Sequence, residues 1–70
     1  MFYKSNLVYL AEDHNFNIDD FIEYCIANFR EYIWINDAGV YCHQQDGEML
    51  AKEYSEWYNI KERYALLCNL

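Results

Sequence analysis

Residues 32–43, YIWINDAGVYCH, constrain the fold more than any other stretch of this chain. Two runs of β-formers, 32–35 and 40–43, flank Asn-Asp-Ala-Gly. Asn at the first position and Gly at the last suit a type I turn, with Gly39 free to take a positive φ as a bulge. In that register Ile35 faces Val40 and Ile33 faces Cys42 on one side. Trp34 faces Tyr41 and Tyr32 faces His43 on the other. One side is small and aliphatic, the other aromatic. A two-stranded hairpin is marginal in water, so one side must pack on something else. The rest of the chain can offer that only as helix.

The clearest helix lies just upstream. Asn17 is a good N-cap, and Asp19 and Asp20 fall in the first turn, where the helix dipole favours anions. Ile18, Phe21, Ile22, Cys25, Ile26 and Phe29 recur at 3.6-residue spacing, which predicts a helix over residues 18–31 with one apolar face. Residues 6–15 fit either a helical stripe or an alternating strand, and the helix is preferred, with Ser5 as its N-cap. The segment from residue 44 onward reads as helix with Asp46 as N-cap. Leu50, Tyr54, Trp57, Tyr58, Ile60, Tyr64, Leu67 and Cys68 supply its apolar contacts. The apolar stripe changes phase near Asn59, which predicts a bend or break there. The expected architecture is a single α+β domain over residues 1–70, ordered helix, helix, hairpin, helix, with the hairpin packed on the helices.

At 70 residues the chain buries only about 60% of its unfolded-state surface, so it needs a high apolar content. It has 54% hydrophobic residues, among them eight Tyr, four Phe and two Trp. That exceeds what a small core holds, and the surplus belongs on the surface, where Tyr and Trp favour interfaces. Twelve carboxylates against five cations leave a net charge of −7. Such a field opposes binding to nucleic-acid phosphates or anionic membranes and favours a basic protein partner. A winged helix-turn-helix reading suffers from the same charge, because its recognition helix would carry Asp19, Asp20, Glu23 and Glu31 against Arg30 alone. No run of 18 apolar residues and no signal-peptide pattern is present. Three cysteines without a CxxC pair fit free thiols in the cytoplasm.

Catalytic chemistry finds little support. Cys42 and His43 are strand neighbours, so their side chains point to opposite faces. Cys25, Cys42, Cys68, His14 and His43 lack zinc-ligand spacing, and Cys25 sits within an apolar stripe. Glu12 with Asp13, and Asp19 with Asp20, read as helix-end residues. No phosphate loop or hydrolase motif occurs. The expectation is a non-enzyme with no metal and no cofactor. The candidate partner-binding residues are Asp19, Asp20, Glu23, Tyr24, Glu31, Tyr32, Trp34, Asp37, Tyr41 and His43. Spaced carboxylates on rigid elements can imitate the phosphate array of a duplex. An alternative is an adaptor that dimerises or docks through the aromatic hairpin face.

Residues 21–41, FIEYCIANFREYIWINDAGVY, resemble part of the ArdA-type antirestriction proteins, which are phage- and plasmid-borne DNA mimics. The similar features are an acidic helix with Tyr24 and Arg30 leading into a hairpin that closes with Asp37, Gly39, Val40 and Tyr41. More broadly, the chain is similar to small acidic phage inhibitors of host defence, including anti-CRISPR proteins. The resemblance implies an anti-defence inhibitor that occupies a nucleic-acid-binding surface.

Overall fold

The computed structural model describes residues 4–68, with side chains up to Leu67. Three strands and three helices follow in the order β1 (Lys4–Asn6), α1 (Leu7–Asp13), α2 (Ile18–Asn28), β2 (Ile33–Asn36), β3 (Gly39–His43) and α3 (Gln44–Cys68). The fold is α+β. A short 3₁₀ turn, Arg30–Tyr32, leads from α2 into the hairpin.

The hairpin forms in the register expected from its turn. Ile33 pairs with Cys42, Trp34 with Tyr41 and Ile35 with Val40, and Asn36 faces Gly39 across the two-residue loop. The Asn36 side chain accepts a hydrogen bond from the Ala38 backbone N–H at 2.7 Å. Gly39 has φ +144°, a conformation that a side chain would strain. The pairing of Tyr32 with His43 does not occur, because Tyr32 belongs to the 3₁₀ turn and its ring lies 6.1 Å from that of Phe29. His43 instead pairs with Lys4.

That pairing exposes a further correction. The chain begins its described part with a strand, so the sheet has three strands in the order β1, β3, β2. Ser5 is committed to the strand opposite Cys42 and cannot cap α1. Asn6 takes that role, its side chain accepting from the Val8 N–H at 2.8 Å. The helix closes with a Schellman motif: the Phe16 N–H reaches Ala11 O at 2.8 Å and the Asn15 N–H reaches Glu12 O at 3.1 Å. Asn15 has φ +60°, the left-handed conformation this cap requires and Asn tolerates. The motif turns Phe16 back towards the core.

Asn17 caps α2 as expected, accepting from the Asp20 N–H at 3.0 Å, with Asp19 and Asp20 in the first turn. The helix stops at Asn28, three residues before the predicted end. Phe29 still donates to Cys25 O, but its φ of −133° leaves the helix and starts the 3₁₀ turn. Arg30 then holds the entry to β2, its guanidinium donating to Ile33 O at 2.9 Å. Helix α3 follows β3 directly at Gln44, which places Asp46 in the first turn and not at the N-cap. It runs unbroken through Asn59, so the helix does not break there.

The core joins all of these elements. Leu7, Ala11, Phe21, Cys25, Ile33, Cys42, Leu50 and Tyr54 form one buried cluster, and Phe16, Ile18, Ile22, Phe29 and Val40 pack around it. Ile33 and Cys42 are the buried ends of the aliphatic hairpin side, whereas Ile35 lies near the turn and is exposed. Of the contacts expected along α3, Leu50 and Tyr54 are core, but Ile60, Tyr64 and Leu67 are exposed. The Cys68 side chain lies outside the described residues. Truncating Phe21, which is fully buried, should cost about 3–5 kcal/mol. Gly39→Ala should cost about 1–3 kcal/mol through strain alone. Urea unfolding followed by far-UV circular dichroism checks both, with the Phe21→Ala change the larger.

Candidate functional site

Helices α2 and α3 bring carboxylates and aromatic rings onto one shared face. On α2, Asp20 and Tyr24 stand four residues apart and so lie along one stripe. The facing side of α3 contributes Glu53, Tyr54, Glu56, Trp57 and Tyr58. The Tyr24 ring centroid lies 4.9 Å from that of Trp57 and 5.6 Å from that of Tyr54. The Tyr24 hydroxyl donates to Glu53 O at 3.4 Å. Towards the hairpin the ring contacts continue from Tyr24 to Phe29 at 6.0 Å, and from Phe29 to Tyr32.

The electrostatics of this face are negative, and the tyrosines report it. Burial, then the Glu53 and Glu56 carboxylates, hold the Tyr24 phenol above its usual value. Burial, then Asp20, does the same for Tyr54. Tyr58 is raised chiefly by its hydrogen bond to Glu62, with the charges of Glu62 and Asp20 adding to it. In each case a neighbouring negative charge disfavours the phenolate. Asp20, Tyr54 and Tyr58 line a hollow of about 230 Å³ with Asn15, Phe16 and Asn17. A shallower hollow of about 470 Å³ on the other side of Phe16 is lined by His14, Glu48, Lys52 and Glu56 among others.

Seven of the ten partner-binding candidates divide between two places. Asp20 and Tyr24 lie on the face shared by α2 and α3, and Tyr32 extends its line of rings. Asp19, Glu23 and Glu31 are exposed. Trp34, Tyr41 and His43 belong to the hairpin's outer side, with Asp37 in its exposed turn. Trp34 is 39% exposed and stacks edge-on against His43, centroids 4.4 Å apart. The Tyr41 hydroxyl donates to Ala38 O at 3.2 Å. The third strand widens this side, because Lys4 and Asn6 stand in register with His43 and Tyr41. Trp57 and Tyr58 make their ring contacts with Tyr24 and Tyr54.

The contribution of α3 was missed as a site. Glu53 and Glu56 were visible as acidic residues, and Tyr54, Trp57 and Tyr58 as apolar contacts. Their meeting with Asp20 and Tyr24 depends on how α3 crosses α2, which the sequence does not encode locally.

The cysteines are placed as packing residues. Cys25 and Cys42 are buried and free. Burial pushes the Cys25 thiol up to about 12, with Cys42 adding a smaller push. Burial, with Asp46 adding to it, pushes Cys42 up to about 11. Among the described residues no three His, Cys, Asp or Glu side chains gather as a metal site would require. No helix there is long and apolar enough to cross a membrane.

No family model, curated protein or solved structure matches this chain.

Raised thiols, together with the raised phenols of Tyr24, Tyr54 and Tyr58, weaken the fold at alkaline pH. The unfolded chain ionises its thiols near the ordinary 9.0, whereas folded Cys42 and Cys25 hold their protons to about 11 and about 12. Above pH 9 the unfolded state therefore binds fewer protons than the native state, and stability falls as pH rises. Urea midpoints measured from pH 8 upward should decline through the interval from 9 to 12. Cys25→Ala should be less stable at neutral pH but should flatten that decline.

Proposed function

We propose that this chain is a non-enzymatic inhibitor or regulator that binds a basic, nucleic-acid-binding protein surface. The carrying observation is the convergence of Asp20, Glu53 and Glu56 around the rings of Tyr24 and Tyr54. Carboxylates supply long-range attraction and correct encounter with a cationic groove. The partly exposed rings of Tyr24, Trp57 and Tyr58 supply short-range contact at little entropic cost, and stacking under arginine guanidinium groups suits them. The similarity of residues 21–41 to ArdA-type antirestriction proteins points the same way, towards competition with DNA or RNA for the partner's groove. The site would act by occupancy and needs no reacting group.

A second reading is favoured by Trp34. An exposed indole on the hairpin's outer side, beside His43, suits docking or self-association of an adaptor module.

The test uses a set of purified bacterial nucleic-acid-binding proteins against the immobilised chain. Retention of a partner should fall steeply as salt rises, and duplex DNA or RNA should compete for it. Asp20→Asn combined with Glu53→Gln should weaken retention at least about tenfold, a loss of roughly 1.4 kcal/mol. Retention that persists into molar salt, or that nucleic acid does not displace, would falsify this reading.

A further inference from the structure

The outer part of α3 carries an apolar seam that the body of the molecule covers only in part, at Trp57. Every residue from 56 to 67 is exposed. Trp57, Ile60, Tyr64 and Leu67 are 37, 67, 70 and 69% exposed, respectively. Their spacings of three, four and three are those of alternating a and d positions over two heptads. The buried face of the same helix is Gly47, Leu50, Ala51 and Tyr54. At 3.6 residues per turn the seam centres about 110° around the axis from that face. The change of phase near Asn59 therefore marks a change of partner within one continuous helix. Packing within the domain ends and a second stripe begins, turned away from the core.

Charge says what the second stripe meets. Residues 1–55 hold ten of the twelve carboxylates and three of the five cations, the whole net charge of −7. Residues 56–70 hold Glu56 and Glu62 against Lys61 and Arg63 and are neutral. This is the stretch of the molecule on which another copy could settle with least repulsion. The seam's flanks are also self-complementary. With Trp57 at a, Glu56 is a g position and Lys61 the following e position, the pair that meets across a parallel two-stranded coil. Lys61 already stands at the seam's edge, its Nζ 4.9 Å from the Trp57 ring centroid. An antiparallel seam would set Lys61 against Lys61 and Arg63 against Arg63 of the second copy.

We propose that residues 56–67 form a parallel, two-chain coiled-coil seam with a second copy of this chain. Two heptads bury well under the roughly 1,600 Å² of a standard interface, so the dimer is weak and concentration-dependent. Its bodies carry like charge at one end of the seam, so added salt strengthens it by screening them. That sign is opposite to the salt dependence of binding to a basic partner, and this proposal does not rest on that reading.

Sedimentation equilibrium of the full chain over a wide concentration range tests it. The average mass should rise from 8.6 kDa towards twice that value, and more readily at higher salt. Ile60→Glu lies on exposed helix, so circular dichroism should be unchanged while the dissociation constant rises at least about tenfold. Glu56→Lys should weaken the dimer, and Glu56→Lys with Lys61→Glu should restore it. Trp34→Ala should have no effect. A monomer at every concentration, an assembly larger than two chains, or a dimer that weakens as salt is added overturns the proposal. So does a double charge swap that fails to restore the dimer, or a dimer lost on Trp34→Ala and kept on Ile60→Glu.

Discussion

The Tyr54 ring is the contact on which the helical layer of the molecule depends. It is 2% exposed and sits among five other rings. Phe16 lies 4.7 Å away, Phe21 5.2 Å, Tyr24 5.6 Å, Trp57 5.8 Å and Tyr58 6.0 Å, all between centroids. Phe16 is delivered by the Schellman turn, Phe21 and Tyr24 by α2, and the others by α3. Removing the ring would leave these three segments joined only by pairwise contacts such as Phe16 with Phe21 and Tyr24 with Trp57. The same residue also lines the hollow beside Asp20 and Tyr58. One residue is thus core on its ring and site at its edge, an arrangement an amphipathic aromatic permits. A chain of 70 residues has too little interior to keep stability and surface chemistry on separate residues.

The parts of the fold that the sequence disclosed are those governed by local rules. The turn chemistry of residues 36–39 set the hairpin register, and the cap at Asn17 with the stripe from Ile18 to Phe29 marked α2. What it concealed depends on partners far along the chain. Strand β1 is three polar residues, Lys-Ser-Asn, with no strand propensity of its own. It exists because β3, nearly forty residues later, offers a free edge. Once it pairs there, Ser5 is spent and Asn6 becomes the cap. The early end of α2 has a similar origin, since a 3₁₀ turn is needed to aim β2 at the sheet. The phase change in α3 coincides with the exposed outer part of an unbroken helix. A broken stripe implies a broken helix only if every apolar residue must face the same core.

The candidate site followed the same division. Charge and aromatic excess were compositional, so the sequence showed that an acidic, ring-rich surface must exist. Its location was tertiary. Half of the α2–α3 face comes from residues that looked like ordinary core positions of the last helix. The hairpin residues Trp34, Tyr41 and His43 drew notice because they are consecutive on one side of a predictable element. The only local signal for the helical face was the four-residue spacing of Asp20 and Tyr24, matched on α3 by Glu53 with Trp57 and Tyr54 with Tyr58.

Trp57 joins the two surfaces that these arguments separate. One side of its indole meets Tyr24, while it also holds the first a position of the exposed seam. Lys61 stacks near it from the following turn. The acidic face and the neutral seam therefore share a boundary residue. In a rigid two-domain protein such surfaces would be independent. Here one aromatic ring lies between the acidic face and the exposed part of α3.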